Sequence, residues 1–377
     1  MNKKSKSEEK SSQMGLSLVA LQNEANNSAC SITYPVWQFR PGMIVEFSQS
    51  EWQSETQKEK LEENLKLAQE TYTGDITTSG VKRMRKLLEV WQLGIERNNS
   101  KQKHLGTSNY KKLVFLTLTL SSTQFHEDNI IKSLILKPFI RILRENYGCS
   151  NYIWKAETQN NGNIHFHLAI DCFINKSVVQ HVWNKCQEKL GYITEFERKY
   201  AHRNPNSTRI EVVRNQKDVG IYLSKYLSKS EGKRRIKGAV WKASKALCSL
   251  TYFSVERDTT CQVKLNKMLK NEKVEIKHLD HCNCLYINNL RPISVLSPVA
   301  LVFYKHYLEI LVNHLFIEEE GGDFAAKILE NNKKISRIHA SDQYRNKEKY
   351  VVKHKQLIKQ LKLFENENLT TVKKFKD

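Results

Sequence analysis

Three apolar stretches between residues 113 and 171 constrain the fold most. They read LVFLTLTL (113–120), YIWKAET (152–158) and NIHFHLAID (163–171). Each is short, rich in β-branched and aromatic residues, and alternates in the period-2 manner of a strand. Between the first two, residues 129–147 carry Ile130, Leu134, Ile135, Phe139, Ile142 and Leu143 at helical spacing. Residues 177–190 predict a helix opened by a serine, 209–213 a short strand, and 218–229 another helix. The order β-α-β-β-α-β-α predicts an α+β fold built on an antiparallel sheet with a ferredoxin-like, split βαβ core. Two crossover helices would cover one face, leaving the other free to host a site.

Helical extensions are expected on both sides. Residues 1–30 read as a disordered basic tail, 31–108 as a helical N-terminal extension, 109–260 as the catalytic domain, and 261–377 as a helical basic C-terminal region. Within the first extension, 51–70 has the Glu, Lys, Gln and Leu composition of an exposed helix. A second helix follows Thr77-Thr78-Ser79-Gly80 through Val81, Met84, Leu87, Leu88, Val90 and Trp91, and Asn98-Asn99-Ser100 is expected to break it. Downstream, 264–277 is helix-like, 298–317 is a helix with Ser297 as N-cap and Pro298 at its first position, and 350–364 is helical. The apolar run 295–317 is interrupted by Lys305, His306 and Glu309, which argues for a buried helix over a membrane span.

Charge narrows the partner. The chain has 61 Lys and Arg against 40 Asp and Glu, a net +21, and a pI near 9.5. Such an excess suits a polyanion, nucleic acid first among them. The eight cysteines form no even framework, and the first residues, MNKKSKSEEK, lack an apolar signal core. A reducing, cytoplasmic location is the expectation.

In NIHFHLAID, alternation sends Ile164, Phe166, Leu168 and Ile170 to the core and Asn163, His165, His167, Ala169 and Asp171 to the other face. Two imidazoles at i and i+2 on one face can chelate one cation; on spacing alone they also fit two solvated residues of a half-buried strand. The adjacent strand supplies a third donor, whose identity depends on the turn. A two-residue turn at Asn161-Gly162 would set Thr158 opposite His165. A three-residue loop with Gly162 left-handed would set Glu157 there. Because Tyr152, Trp154 and Ala156 belong in the core, Lys155 and Glu157 fall on the histidine face, which favours Glu157. Two imidazoles and a carboxylate suit Mn²⁺ or Mg²⁺ acting on phosphate. Asp171 is a distant alternative on the same face. The cluster His278-Leu279-Asp280-His281-Cys282-Asn283-Cys284 lacks zinc-finger spacing, and His104, His126 and His181 read as ordinary polar residues.

Residues 222–229 spell YLSK twice. On a helix, Tyr222 and Tyr226 share a face about 5–6 Å apart, as do Lys225 and Lys229. A tyrosine hydroxyl can attack a phosphodiester that a metal and a lysine have made electrophilic, leaving a phosphotyrosine that can later be religated without ATP. The same spacing, with Val219, Leu223 and Leu227, also traces an amphipathic core stripe.

Together these residues resemble the rolling-circle replication initiators of small phages and plasmids, within the HUH endonuclease superfamily. LVFLTLTL is similar to the first motif, HFHLAID to the His-hydrophobic-His motif, and YLSKYLSK to the two-tyrosine third motif; WKASKAL (241–247) is similar to a segment that follows it. The resemblance spans residues 110–230, about a third of the chain. It implies a site-specific nickase and ligase with His165, His167 and Glu157 on the metal, Tyr222 and Tyr226 as nucleophiles, and Lys225 at the scissile phosphate. Both Tyr222/Lys225 and Tyr226/Lys229 match the single-tyrosine form as well, so one or two reactive tyrosines are compatible with the pattern. Lys229, Lys233, Arg234, Arg235 and Lys237 are the expected DNA contacts. Single-stranded or supercoiled origin DNA would be the substrate. A host helicase and DNA polymerase would be partners, since no GxxxxGK[ST] stretch supplies unwinding. A relaxase or single-strand transposase would share this chemistry. A non-catalytic single-strand binder on an RRM-like sheet would instead stack bases on exposed aromatics.

Overall fold

The computed structural model describes residues 33–50, 63, 76–212, 234–271, 274–287, 292–317, 324, 326–330 and 332–334. The helices expected at 218–229 and 350–364, the tail 1–30 and all of 51–70 except Glu63 lie outside them.

The α+β architecture holds two five-stranded antiparallel sheets. The first contains the strands read from sequence: β3 (Val114–Leu118), β4 (Tyr152–Thr158), β5 (Ile164–Ile170) and β6 (Thr208–Val212), with a short β7 (Trp241–Ala243). Their order is β6-β3-β5-β4-β7, so the histidine strand β5 is central. One face packs on α2 (Asp128–Ile131), which passes through a π turn (Lys132–Leu136) into α3 (Lys137–Tyr147), and on α4 (Lys176–Glu188). Val114, Leu116, Leu118, Trp154, Phe166 and Leu168 meet Ile131, Ile135, Phe139, Val179 and Trp183 there. Burying each large side chain contributes about 1.5–3 kcal/mol. The Trp183 indole N–H is satisfied by the Thr119 carbonyl at 2.7 Å. A further helix, α5 (Tyr192–Tyr200), precedes β6.

The flanks contribute strands as well as helices. β1 (Thr33–Arg40), β2 (Met43–Ser50), β8 (Ser254–Glu256), β9 (Val274–Leu279) and β10 (Cys282–Ile287) form the second sheet in the order β8-β1-β2-β10-β9. It packs with α1 (Thr78–Leu105) and α8 (Pro298–Phe316) in a separate core. The helix-like stretch 264–277 divides: α7 (Thr259–Lys270) ends and β9 begins at Val274, where pairing with β10 takes over. Between β7 and β8 lies the short α6 (Lys245–Cys248). The helix α1 continues through Asn98-Asn99-Ser100 to Leu105. The Asn98 amide donates to the Asn109 carbonyl at 3.1 Å, and Asn99 both donates to the Lys111 carbonyl (2.7 Å) and accepts from its N–H (2.8 Å). Side chains that would compete with helical backbone in isolation find tertiary partners instead.

The second body also covers part of the histidine face. Leu113, Phe115, Ile153 and Ala169 are buried with Leu87, Leu88 and Leu315. The face is therefore open only at the end bearing Thr117, Lys155, Glu157, His165 and His167. Among the described residues, no helix is long and apolar enough to cross a membrane.

Candidate metal centre

The β4–β5 hairpin places the three donors. Gln159 N–H bonds the Asn163 carbonyl at 2.8 Å, enclosing a three-residue loop in which Gly162 has φ +84°; only glycine adopts that conformation freely. The resulting register sets Glu157 opposite His165 and Lys155 opposite His167.

The side chains converge. His165 Nε2 lies 3.0 Å from His167 Nε2, and Glu157 Oε2 lies 3.5 Å and 3.3 Å from them respectively. For an ion about 2.1 Å from each donor, such separations correspond to angles of about 90–115°, spanning octahedral and tetrahedral values. Two nitrogens and one carboxylate oxygen are a donor set that transition-series divalent ions accept. The donors are shielded yet reachable, with side chains 19% (Glu157), 15% (His165) and 6% (His167) exposed.

Electrostatics favour the metal-binding protonation states. Burial pushes the Glu157 carboxyl up, but hydrogen bonds from His165 and His167 and the Lys155 ammonium outweigh it and hold the group well below the usual carboxylate range. Burial pulls His167 down, only partly offset by its bond to Glu157. An ionised carboxylate and a neutral imidazole are the ligating forms. Lys155 Nζ sits 2.5 Å from Glu157 Oε1, leaving Oε2 to face the histidines.

The other expected residues divide. Tyr222, Lys225, Tyr226, Lys229 and Lys233 lie outside the described residues. Arg234, expected at DNA, is committed within the fold. Its guanidinium makes a two-pronged bond to Asp128 (2.7 and 2.8 Å) and donates to the Gly162 carbonyl (2.7 Å) and Gln124 Oε1 (3.1 Å). Gln124 Oε1 also accepts from Ile164 N–H at 2.7 Å, so this network ties α2 to the metal-bearing hairpin. Lys237 donates to Asp128 through its backbone and pairs with Glu127 at 2.9 Å. Arg235 is exposed. Asp171 is fully buried at the far end of the sheet face, accepting from Ser150 and Asn151 N–H at 2.8 and 3.0 Å, and is not a ligand of this cluster. His278 pairs with Asn283 (2.8 Å) across the β9–β10 hairpin. Among the described residues, no other group of three His, Cys, Asp or Glu donors converges.

Sequence reasoning missed Thr117, Gln124 and Asp128. Thr117 had a readable signal, since alternation in LVFLTLTL puts it on the histidine face. Asp128 had none beyond its place before a helix.

Two comparisons find no counterpart: no curated protein and no solved structure matches the chain. Residues 113–231 match the replication-associated protein ORF2 family, a span running from the residue before β3 through both YLSK repeats, and this match supports a role in initiating replication and in binding DNA.

Proposed function

We propose that the protein nicks one DNA strand at a replication origin by tyrosine attack at a divalent metal centre, and later rejoins the displaced strand. The observation that carries this reading is the convergence of Glu157 Oε2, His165 Nε2 and His167 Nε2 within one ion's reach, inside the segment that matches a replication-associated family. Mn²⁺ or Mg²⁺ held there would polarise the scissile phosphate and offset the charge that builds on it during attack.

The chain's own groups do the rest. Lys155 keeps one Glu157 oxygen occupied and the carboxyl ionised. The Tyr222 or Tyr226 hydroxyl oxygen forms a bond to phosphorus while the bond from phosphorus to the 3′-oxygen breaks. The phenol proton passes to water and the departing oxygen takes one up, giving a 5′-phosphotyrosine and a free 3′-OH. Attack by a 3′-OH on the phosphotyrosine reverses the step and needs no ATP. Lys225 would steady the phosphate as charge develops. The open end of the sheet bears His165, His167, Glu157, Lys155 and Thr117 where an RRM-like binder would place stacking rings, which disfavours a purely binding role.

The test is incubation with labelled single-stranded origin DNA and Mn²⁺, reading a covalent adduct on a denaturing gel. The adduct should vanish with EDTA, in His165→Ala and in the Tyr222→Phe, Tyr226→Phe double variant. An adduct that survives the double variant overturns the tyrosine assignment; one that survives EDTA overturns the metal.

A further inference from the structure

We infer that Thr117, from the first apolar strand, is the positioning residue of the metal centre: it sets the ring orientation and tautomer of His167, leaving His165 to be oriented by the ion. This rests on the metal reading above.

Thr117 lies directly opposite His167 in the β3–β5 register, and its Oγ1 is 3.3 Å from His167 Nδ1. His167 Nε2 points to Glu157 and His165. A histidine that gives its Nε2 lone pair to a metal must carry its proton on Nδ1, and a fixed acceptor there selects that tautomer and the ring angle. The Thr117 oxygen is placed as that acceptor. The neighbouring β3 residues Val114, Phe115, Leu116 and Leu118 are all buried and apolar. The nearby hydroxyl of Thr119 serves a different purpose, donating to the Ser207 carbonyl at 3.0 Å. Packing alone would be served by valine at 117; the hydroxyl is what reaches the ring.

His165 has no equivalent. Its Nδ1 is buried without a hydrogen-bond partner, and its ring stands at 89° to that of His167, centroids 4.8 Å apart. The two imidazoles are thus unequal: the half-site His167–Glu157 is prebuilt, and His165 completes it. Thr117 also belongs to a row in register across all five strands, Arg209, Thr117, His167, Lys155 and Trp241. The row places a hydroxyl and an ammonium on the two strands flanking the central histidine.

The full chain is titrated with Mn²⁺ by calorimetry as wild type, Thr117→Val and Thr117→Ser, and the His167 tautomer is read in metal-free protein by long-range ¹⁵N–¹H correlation. Thr117→Val should bind Mn²⁺ about 10- to 100-fold more weakly and shift His167 away from the Nδ1–H tautomer, while Thr117→Ser retains both properties. Equal affinity and an unchanged tautomer in folded Thr117→Val overturn the inference. A wild type that binds no Mn²⁺ overturns the metal reading instead, and the tautomer measurement still decides the role of Thr117.

Discussion

The Asp128→Asn substitution probes the clamp beneath the metal hairpin. The Asp128 carboxylate is 2% exposed and accepts four bonds: two from Arg234 (2.7 and 2.8 Å), one from Gln124 (2.9 Å) and one from the Lys237 N–H (2.9 Å). Burial pushes its pKa up, but these bonds dominate and bring it from 3.8 to about 2. At about 1.4 kcal/mol per unit, that displacement represents about 2 kcal/mol of stability at neutral pH. The folded pKa lies below the unfolded one, so the contribution is complete above about pH 5 and disappears as pH falls toward 2. Asparagine keeps the shape but forfeits the charge and presents an amide N–H₂ to a guanidinium. Because Arg234 retains access to water, with 34% of its side chain exposed, the cost should stay near 2–3 kcal/mol, the lower end for a broken buried pair. Urea unfolding followed by tryptophan fluorescence should show a lower midpoint for Asp128→Asn at pH 7. The gap between variant and wild type should narrow progressively from pH 5 to pH 2.5. A midpoint equal to wild type at pH 7, or a gap that persists unchanged at pH 2.5, would refute the reasoning.

Further outcomes are expected. Glu157→Gln should lower Mn²⁺ affinity by at least about 10-fold by calorimetry, since the carboxylate supplies the only anionic donor of the cluster, and should abolish the covalent DNA adduct. Single Tyr222→Phe and Tyr226→Phe variants, assayed separately for adduct formation and for strand rejoining, should show whether one hydroxyl cuts and the other rejoins; equal loss of both steps in only one variant would mean a single reactive tyrosine. Gly94→Ala should destabilise by about 1–3 kcal/mol in thermal unfolding. Its new methyl would lie 2.4 Å from Leu315 Cδ1, where α1 crosses α8, and this outweighs the gain of about 1 kcal/mol in helix propensity. Affinity for single-stranded DNA should fall steeply and log-linearly with salt, as backbone neutralisation by a chain of net charge +21 requires.

The metal centre was legible in sequence because strand periodicity and one turn are local. Alternation assigns His165 and His167 to a common face, and Gly162 closes a three-residue loop that brings Glu157 opposite His165. Both follow from backbone geometry within fourteen residues, 154–167, without reference to distant chain. Arg234 was misread for the opposite reason. A cluster of cations looks alike whether it meets phosphate or Asp128, and the partner lies more than a hundred positions away.

By itself, then, the sequence determined the strand and helix order of the central sheet, the face carrying the histidines and the third donor. Only the tertiary structure decided which cations are spent on the fold, that β1 and β2 pair with β8 and β10 more than 200 residues downstream, and how much of the histidine face stays open. Periodicity is a property of neighbouring residues; the pairing of remote strands and the covering of Phe115 and Ala169 by another body depend on the whole chain's burial of apolar surface. That covering confines the open part of the face to the end where Glu157, His165 and His167 meet.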